Sequence, residues 1–591
     1  MFRNLIIILA AVVVVALPFA LRKEELDTGW REGDPVLVAI SPHNEAIRFE
    51  FALAFSRWHK EKFGKPVKVE WRNIGGTTEI SRFLTSAFTS SFRSWWTGRG
   101  KPWPAKSDER LLDRRFDPAK PPADLAADPL QQKQWEEHAE IVKAFRSTDD
   151  PGKFTASIDV FFGGGQYDHD RAARQGMAVA PWGEAGLPAD LAAASPESLG
   201  GEIWRGKTYF ATALSTFGIC YNTDRLAQLG VTDIPARWRD LTNPRYQGQV
   251  GVADPTKSGS IAKAYEMIIH QVVGEAVTAA GFDAAAVADF EDRIAGARLP
   301  NGQLPEGIPA EYQQAIERGW LDGLHLVQRI GCNARYFTDS SSKIPIDVGV
   351  GDAAVGLAID FYARFQAEVS CAPGRPPRMG YVVPVGGTSV SGDPVSLLRG
   401  AQHRETAVRF IEFILSDAGQ RLWNFKPRRA GGDPAAGGPE KYALRRLPVS
   451  RHFYPTGAAD SPDVALRPHL TDELWRDDVN AYRVAGAFTY HPRWTGNHFS
   501  IQRDYIRAMC MDAGDELKAA WLAILAAGGP EKNPEAMALL STFPPGFDWR
   551  SATGPDYAEA RKQDYMRSWT LHFRDVYRRA AQAARSKGGQ A

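Results

Sequence analysis

The stretch Val36-Leu37-Val38-Ala39-Ile40-Ser41-Pro42-His43-Asn44 is a short apolar run that ends in a polar turn. The residues after it decide the fold. From Glu45 the apolar residues Ile47, Phe51, Ala54, Phe55 and Trp58 recur at helical spacing, and Gly64 and Pro66 close that helix. Val67, Val69 and Trp71 alternate with Lys68 and Glu70 as a second strand. Asn73-Ile74-Gly75-Gly76-Thr77-Thr78 then opens another helix near Glu79. Strand, loop, helix, strand, Gly-rich loop, helix predicts an α/β fold built on a parallel sheet. Ligands of such sheets sit at the carboxyl ends of the strands. That places Ser41, His43, Thr77 and Thr78 in a candidate crevice.

The same grammar continues downstream. Ile158-Asp159-Val160-Phe161-Phe162 is a strand running into Gly163-Gly164-Gly165, where backbone can approach a ligand closely. Tyr167-Asp168-His169-Asp170 after it reads as a solvated turn. Residues 208–221 form one long β-prone run. Val250-Gly251-Val252-Ala253-Asp254-Pro255 enters Thr256-Lys257-Ser258-Gly259-Ser260, and a helix over 261–273 comes next. Small hydroxyl residues before a helix start suit an anion, because free N–H groups and the positive helix end both favour negative charge. The same serines suit a plain helix cap.

Composition bounds the function. The 591 residues correspond to about four ordinary domains or two large lobes with insertions. With 44% hydrophobic and 24% charged residues, the chain is neither disordered nor a multi-span membrane protein. Lys+Arg total 71 and Asp+Glu 70, so no bulk field draws nucleic acid or anionic membranes. Residues 1–25 read as an N-terminal signal or membrane anchor, since 5–21 is an apolar run without a charge. Pro18 spoils a small-x-small cleavage site before Leu21, which favours the anchor; either reading places the rest outside the cytoplasm. Cys220, Cys332, Cys371 and Cys510 form no C-x-x-C pair and are expected as free thiols.

Six motifs in order carry a family resemblance. They are Asp159-Val160-Phe161-Phe162-Gly163-Gly164-Gly165, Gly218-Ile219-Cys220-Tyr221-Asn222-Thr223-Asp224 and Asp254-Pro255-Thr256-Lys257-Ser258-Gly259-Ser260. Gly351-Asp352-Ala353-Ala354-Val355-Gly356, Pro384-Val385-Gly386-Gly387-Thr388 and Phe410-Ile411-Glu412-Phe413-Ile414-Leu415-Ser416 complete the set. Over residues 35–425 the chain resembles the periplasmic solute-binding proteins of ABC importers, type II two-lobed class, near the ferric-ion, thiamine and phosphonate binders. The resemblance implies two α/β lobes joined by two crossings, near 213–217 and 381–385, with a ligand in the cleft. Lobe one would be 35–212, with an insertion at 91–155, and the return 383–425; lobe two would be 213–382. The helical extension 426–591 matches no motif and is expected to pack on lobe one. A permease and an ATPase would be the partners, and hinge closure would report occupancy.

The resemblance also implies ligand residues. Ferric binders place a histidine on the first loop, and His43 fits. Their carboxylate position reads Gly164 here, and their tyrosine pair reads Phe361-Tyr362, preceded by Asp360. Fe(III) as the transported ligand would thus rest on His43 and Tyr362, with Asp360 or Asp168 as substitute carboxylates. Gly165 on the glycine loop, with Ser215 and Thr216 at the first crossing, would line the same cleft. A phosphate- or phosphonate-type anion has more candidates: Thr77 and Thr78, Ser258, Gly259 and Ser260, and the cluster around Ser340 and Ser341. The anion ranks first and ferric iron with a synergistic anion second. No resident cofactor is expected. An exported enzyme or a ligand-sensing ectodomain are the competing classes; no Gly-x-Ser-x-Gly elbow or His-Glu-x-x-His helix supports the former.

Overall fold

The computed structural model describes residues 28–113, 116–122, 128–297, 299, 303–371, 377–455, 462–553 and 561–588. The apolar run 5–21 lies outside them, and among the described residues no helix is long and apolar enough to cross a membrane. Two main sheets organise the chain. The first is seven-stranded, in the order Leu447–Pro448, Phe210–Ser215, Ser391–Leu398, Val160–Phe162, Val36–Ile40, Lys68–Arg72, with Ala178–Val179 also on Ser391–Leu398. Val36–Ile40 pairs in parallel with both Lys68–Arg72 and Val160–Phe162, while Ser391–Leu398 runs antiparallel to its neighbours. The second is five-stranded, in the order Ala334–Thr338, Val250–Ala253, Val355–Ile359, Phe217–Asn222, Met379–Val382.

Local rules account for the first βα unit. Asn44 caps the helix Glu45–Phe63 by accepting from the Ile47 N–H at 3.0 Å, and Gly64 ends it at φ 76°. Successive residues of a strand face opposite sides. Phe162 accordingly joins Phe51, Phe55, Phe410, Phe413 and Trp423 on one face of the first sheet. Phe161 joins Phe88, Phe92, Phe145 and Trp96 on the other. The helix Thr77–Thr97 runs through the expected insertion boundary at 91, so Trp96 is core of this lobe.

The run 208–221 is two strands in two sheets. Phe210–Ser215 ends in the first and Phe217–Asn222 starts in the second, with only Thr216 between them. The chain returns between Met379–Val382 and Ser391–Leu398. The first crossing thus falls within the expected 213–217; strand propensity is continuous through Thr216, so periodicity alone does not mark it and the family resemblance did.

The extension divides. Leu447–Pro448 adds a strand to Phe210–Ser215, and Phe453, Leu470 and Ala485 pack with Trp204 and Leu214 of the first lobe. Beyond residue 488 the helices Gly514–Ala526, Pro534–Leu540 and Lys562–Gly588 cover Ala310–Cys332 of the second lobe. Packing of the whole extension on lobe one is therefore corrected. The cause is amphipathic: Ala310–Cys332 is buried along most of its length, including Gln328, which donates to Leu540 O and Tyr577 Oη, both at 2.9 Å. Asn333, just past that helix, accepts from Trp521 Nε1 at 3.0 Å. Trp521 is fully buried. Trp521→Ala should lower stability by about 3–5 kcal/mol, the usual range for a buried aromatic truncation, measured by urea denaturation of the full chain. An unchanged midpoint would show that the extension is a passenger.

Candidate functional site

The carboxyl ends of the first sheet face the second sheet's lobe, and two groups of side chains meet there. The inner group centres on Asp393, in the middle of the strand Ser391–Leu398. Its carboxylate accepts from the Gly164 N–H at 2.8 Å, contacts His43 Nε2 at 3.0 Å and pairs with Arg446. Burial alone would raise its pKa. The Arg446 guanidinium and His43 reverse that and hold it well below the usual carboxylate range. Arg446 also donates to Ser215 Oγ at 2.9 Å and is 1% exposed. Its guanidinium lies 4.1 Å from the Phe361 ring, on the second lobe, and 5.4 Å from Trp423.

The glycine loop is shaped by this cluster. Gly163 has φ 91°, and a Cβ there would fall 2.3 Å from the His43 ring. Gly164 has φ 110°, and a Cβ would fall 2.5 Å from Thr77 Cγ2. The loop carries no carboxylate at the Gly164 position; the one that meets His43 comes from Asp393 instead. Tyr167-Asp168-His169-Asp170 is not a solvated turn. It lies in the helix Gln166–Arg174, with His169 fully buried. His169 contacts Ser396 Oγ at 2.7 Å and Gly163 O at 3.1 Å, and stacks on Phe161. Amphipathic helical spacing put His169 inward, a period hidden by the four-residue polar run.

Several expected ligands are committed to structure. Ser41 Oγ accepts from the His43 N–H at 3.1 Å. Asp360 accepts from Thr216 N–H at 3.0 Å, Thr216 Oγ1 at 3.2 Å and Phe361 N–H at 2.7 Å, which ties the first crossing to the second lobe. Burial raises the Asp360 pKa against nearby Arg364 and these donors. Tyr362 is half-buried, and burial raises its phenol, with Arg446 and Asp393 both acting on it. Ser258 Oγ caps the next helix by accepting from Ile261 N–H at 3.3 Å. Ser340 is exposed and bonds Ser342 at 2.9 Å, with Ser341 between them, next to the Lys257–Asp339 ion pair at 2.8 Å.

The outer group lies at the seam between lobes. The helix Thr77–Thr97 starts at Gly76 without a side-chain cap, and Gly259–Ala279 starts at Ser258. These starts approach each other: a Cβ on Gly259 would lie 3.2 Å from Thr77 Oγ1, and one on Gly76 would lie 3.6 Å from Lys257 O. Arg503, on the helix Phe499–Arg507, reaches both sides. It donates to Thr78 Oγ1 at 3.3 Å, Thr256 O at 2.7 Å and Pro255 O at 2.6 Å. Asp168 sits beside them; burial raises its pKa while Arg503 and Thr77 pull it down. The structure thus brings Thr77, Thr78, Gly165, Ser258, Gly259 and Ser260 to one seam. It gathers His43, Gly164 and Ser215 about Asp393, and leaves Ser340 and Ser341 at the rim.

Among the described residues no group of three or more His, Cys, Asp or Glu side chains is arranged to hold a metal ion. Cys220, Cys332 and Cys510 are buried free thiols, and Cys371 is partly exposed. Asp393, Arg446 and Arg503 are the site residues that sequence reading missed. Gly392-Asp393-Pro394 reads as a turn, and no periodic or motif signal marks either arginine.

Residues 187–292 match the family described as bacterial extracellular solute-binding protein. An uncharacterized protein of Haemophilus influenzae is 27% identical over 210 residues, which are 35% of this chain and 45% of that protein's length. Among solved structures, the periplasmic binding protein AfuA from Actinobacillus pleuropneumoniae, with fructose-6-phosphate bound, is 17% identical, covers 66% of this chain and 81% of its own, and has a TM-score of 0.39. Iron-bound HitA from Pseudomonas aeruginosa is 14% identical, with 65% and 82% covered and a TM-score of 0.35. Over residues 187–292 the chain is therefore similar to bacterial extracellular solute-binding proteins.

Burial lowers the pKa of His169 to about 4, with the Gly163 carbonyl opposing. Between the unfolded value of about 6.5 and that value, the unfolded chain binds the extra proton. Stability from neutral His169 is therefore complete above about pH 6.5 and declines as pH falls towards 4. The loss should be about 3 kcal/mol by pH 4 and absent in His169→Gln, read as the difference in pH–stability profiles.

Proposed function

We propose that the chain is the extracytoplasmic binding component of an ABC importer, and that it captures a small anion of the phosphate or phosphonate type for a membrane permease and its ATPase. One observation carries the ligand class. Two long helices from opposite lobes present their N-termini to each other, with the Arg503 guanidinium across the join. Each helix end acts as about half a positive charge, so an anion between them gains from both lobes at once. The Thr77 hydroxyl lies at the same join, and Ser260 on the first turn of the second helix is a further candidate donor. Asp168 opposes an anionic guest; burial raises its pKa, which weakens that opposition, while Arg503 and Thr77 act the other way.

Ferric iron is not favoured by the arrangement. His43 Nε2 faces Asp393, and Arg446 already neutralises that carboxylate. Tyr362 has a raised pKa, so forming a tyrosinate costs more than in water. Binding, not bond-breaking, is the activity: the polar groups at the seam are engaged in lobe-to-lobe contacts, the arrangement that couples occupancy to lobe position.

A phosphate-, phosphonate- or phosphoester-bearing small molecule at about a hundred times its Kd should add about 2.7 kcal/mol. For lobes of this size that raises the melting temperature by about 5–10 °C. In Ser258→Ala with Ser260→Ala the baseline falls through the lost cap, and the ligand-induced rise should shrink without vanishing, since the backbone donors remain. A screen in which only neutral sugars or amino acids stabilise the chain removes the anion reading and leaves a binding protein with a different solute.

A further inference from the structure

The inner cluster holds a cation that belongs to the chain itself. Asp393 and His43 are a carboxylate and an imidazole in contact at 3.0 Å, with the Tyr362 ring packed 4.1 Å from Phe361, the ring that faces Arg446, and such groups together attract a hard metal cation. Arg446 lies beside them. It comes from the extension, immediately before the strand Leu447–Pro448, and its guanidinium touches both lobes: Asp393 and Ser215 on one side, the Phe361 ring at 4.1 Å on the other. It is 1% exposed, so solvent does little to screen its charge. His43 Nδ1, Trp423 Nε1 and Arg446 Nε are buried here without hydrogen-bond partners. The cluster therefore has nitrogen groups to spare, and its one full acid is already neutralised.

We propose that Arg446 is a tethered cation seated where a metal cargo would have to lie, and that it sets the charge class of solute this cleft accepts. A free metal ion would enter beside a fixed positive charge in a poorly screened site, and like charges at that range repel strongly. The guanidinium fork and its aromatic faces suit the seat better than an ammonium does, because only a planar cation can bond Asp393 and Ser215 while lying between Phe361 and Trp423. The proposal rests on the solute-binding reading for its purpose, but not on the anion.

The test uses the full chain titrated with ferric nitrilotriacetate, followed by visible absorption and by melting temperature. The wild-type protein should show no tyrosinate-to-iron band. Arg446→Ala should gain one, with iron affinity at least about tenfold above wild type, and lose it again on adding Tyr362→Phe. Guanidinium chloride at low millimolar concentration should raise the melting temperature of Arg446→Ala and suppress its iron band, while ammonium chloride should not. Arg446→Gln, neutral but able to bond Asp393, provides a second variant if the alanine form is poorly folded. A wild-type band as strong as the variant's would overturn the proposal. So would a folded Arg446→Ala or Arg446→Gln that takes neither iron nor guanidinium, or failure of both to fold in the presence of guanidinium, since a seat for a cation should be refillable. The melting response of the wild-type chain to phosphate-bearing solutes is read separately: its absence removes the anion reading and leaves the role of Arg446 standing.

Discussion

A carboxylate buried in the middle of a strand is costly unless its neighbours neutralise it, and Asp393 is where this molecule meets that constraint. Its partners come from three places: the first loop (His43), the glycine loop (Gly164 N–H) and the extension (Arg446). Breaking such a buried pair on one side typically costs about 3–5 kcal/mol, because the other charge is left uncompensated. The glycine loop, the first helix start and the extension are therefore not independent features. Each holds its geometry because the others complete one charge.

A second buried network plays the same part across the lobes. Lys263 on the helix Gly259–Ala279 pairs with Glu202 and Glu266, each at 3.0 Å. Glu202 accepts from Ser389 Oγ at 2.5 Å, on the chain returning from the second sheet. Glu266 accepts from Tyr490 Oη at 2.5 Å and Thr495 Oγ1 at 3.0 Å, both on the extension. The extension thus bonds to the second lobe through Glu266 and to the first through the strand Leu447–Pro448. Separation of the lobes has to break the Arg503 bonds to Thr78 or to the carbonyls of residues 255 and 256, and has to part Arg446 from Phe361. Movement about the two crossings is accordingly governed by the extension as much as by the crossings.

The parts of this fold that sequence carries are those fixed by local chemistry. The strand at 36–40, its capped helix and the strand leading into Gly163 arise from periodicity and from turn residues, and the structure has them at those positions. Three features leave no mark in periodicity, for physical reasons. The change of sheet at Thr216 interrupts neither propensity nor alternation, and only the family resemblance located it, near 213–217. Gly392-Asp393-Pro394 has turn chemistry but sits within a strand, where a register shift between Asp393 and Pro394 absorbs the missing N–H. The arginines at 446 and 503 acquire their meaning only from partners 53 and 425 positions away, respectively. Of the candidate site, the loops were legible and the charges that complete them were not.

The two charged positions between the lobes differ in how they are filled, and this sets the chemistry of the cleft. At the inner position a fixed cation meets a fixed anion, both buried, and the pair is permanently neutral over the ordinary pH range because the Asp393 pKa is so depressed. At the outer position Arg503 and two helix ends lie among the carboxyl groups of Asp168, Glu79 and Asp254, and burial raises the pKa of Asp168. Burial thus makes the Asp168 charge harder to hold than that of Asp393, which Arg446 and His43 stabilise. The inner pair therefore fixes a neutral seat that excludes a free cation, and the two helix ends that favour an anion lie at the outer position. That asymmetry comes from which arginine is bonded by a carboxylate and which by carbonyls: Arg446 is neutralised by Asp393, while the hydrogen bonds of Arg503 go to neutral oxygens and leave its charge available at the seam.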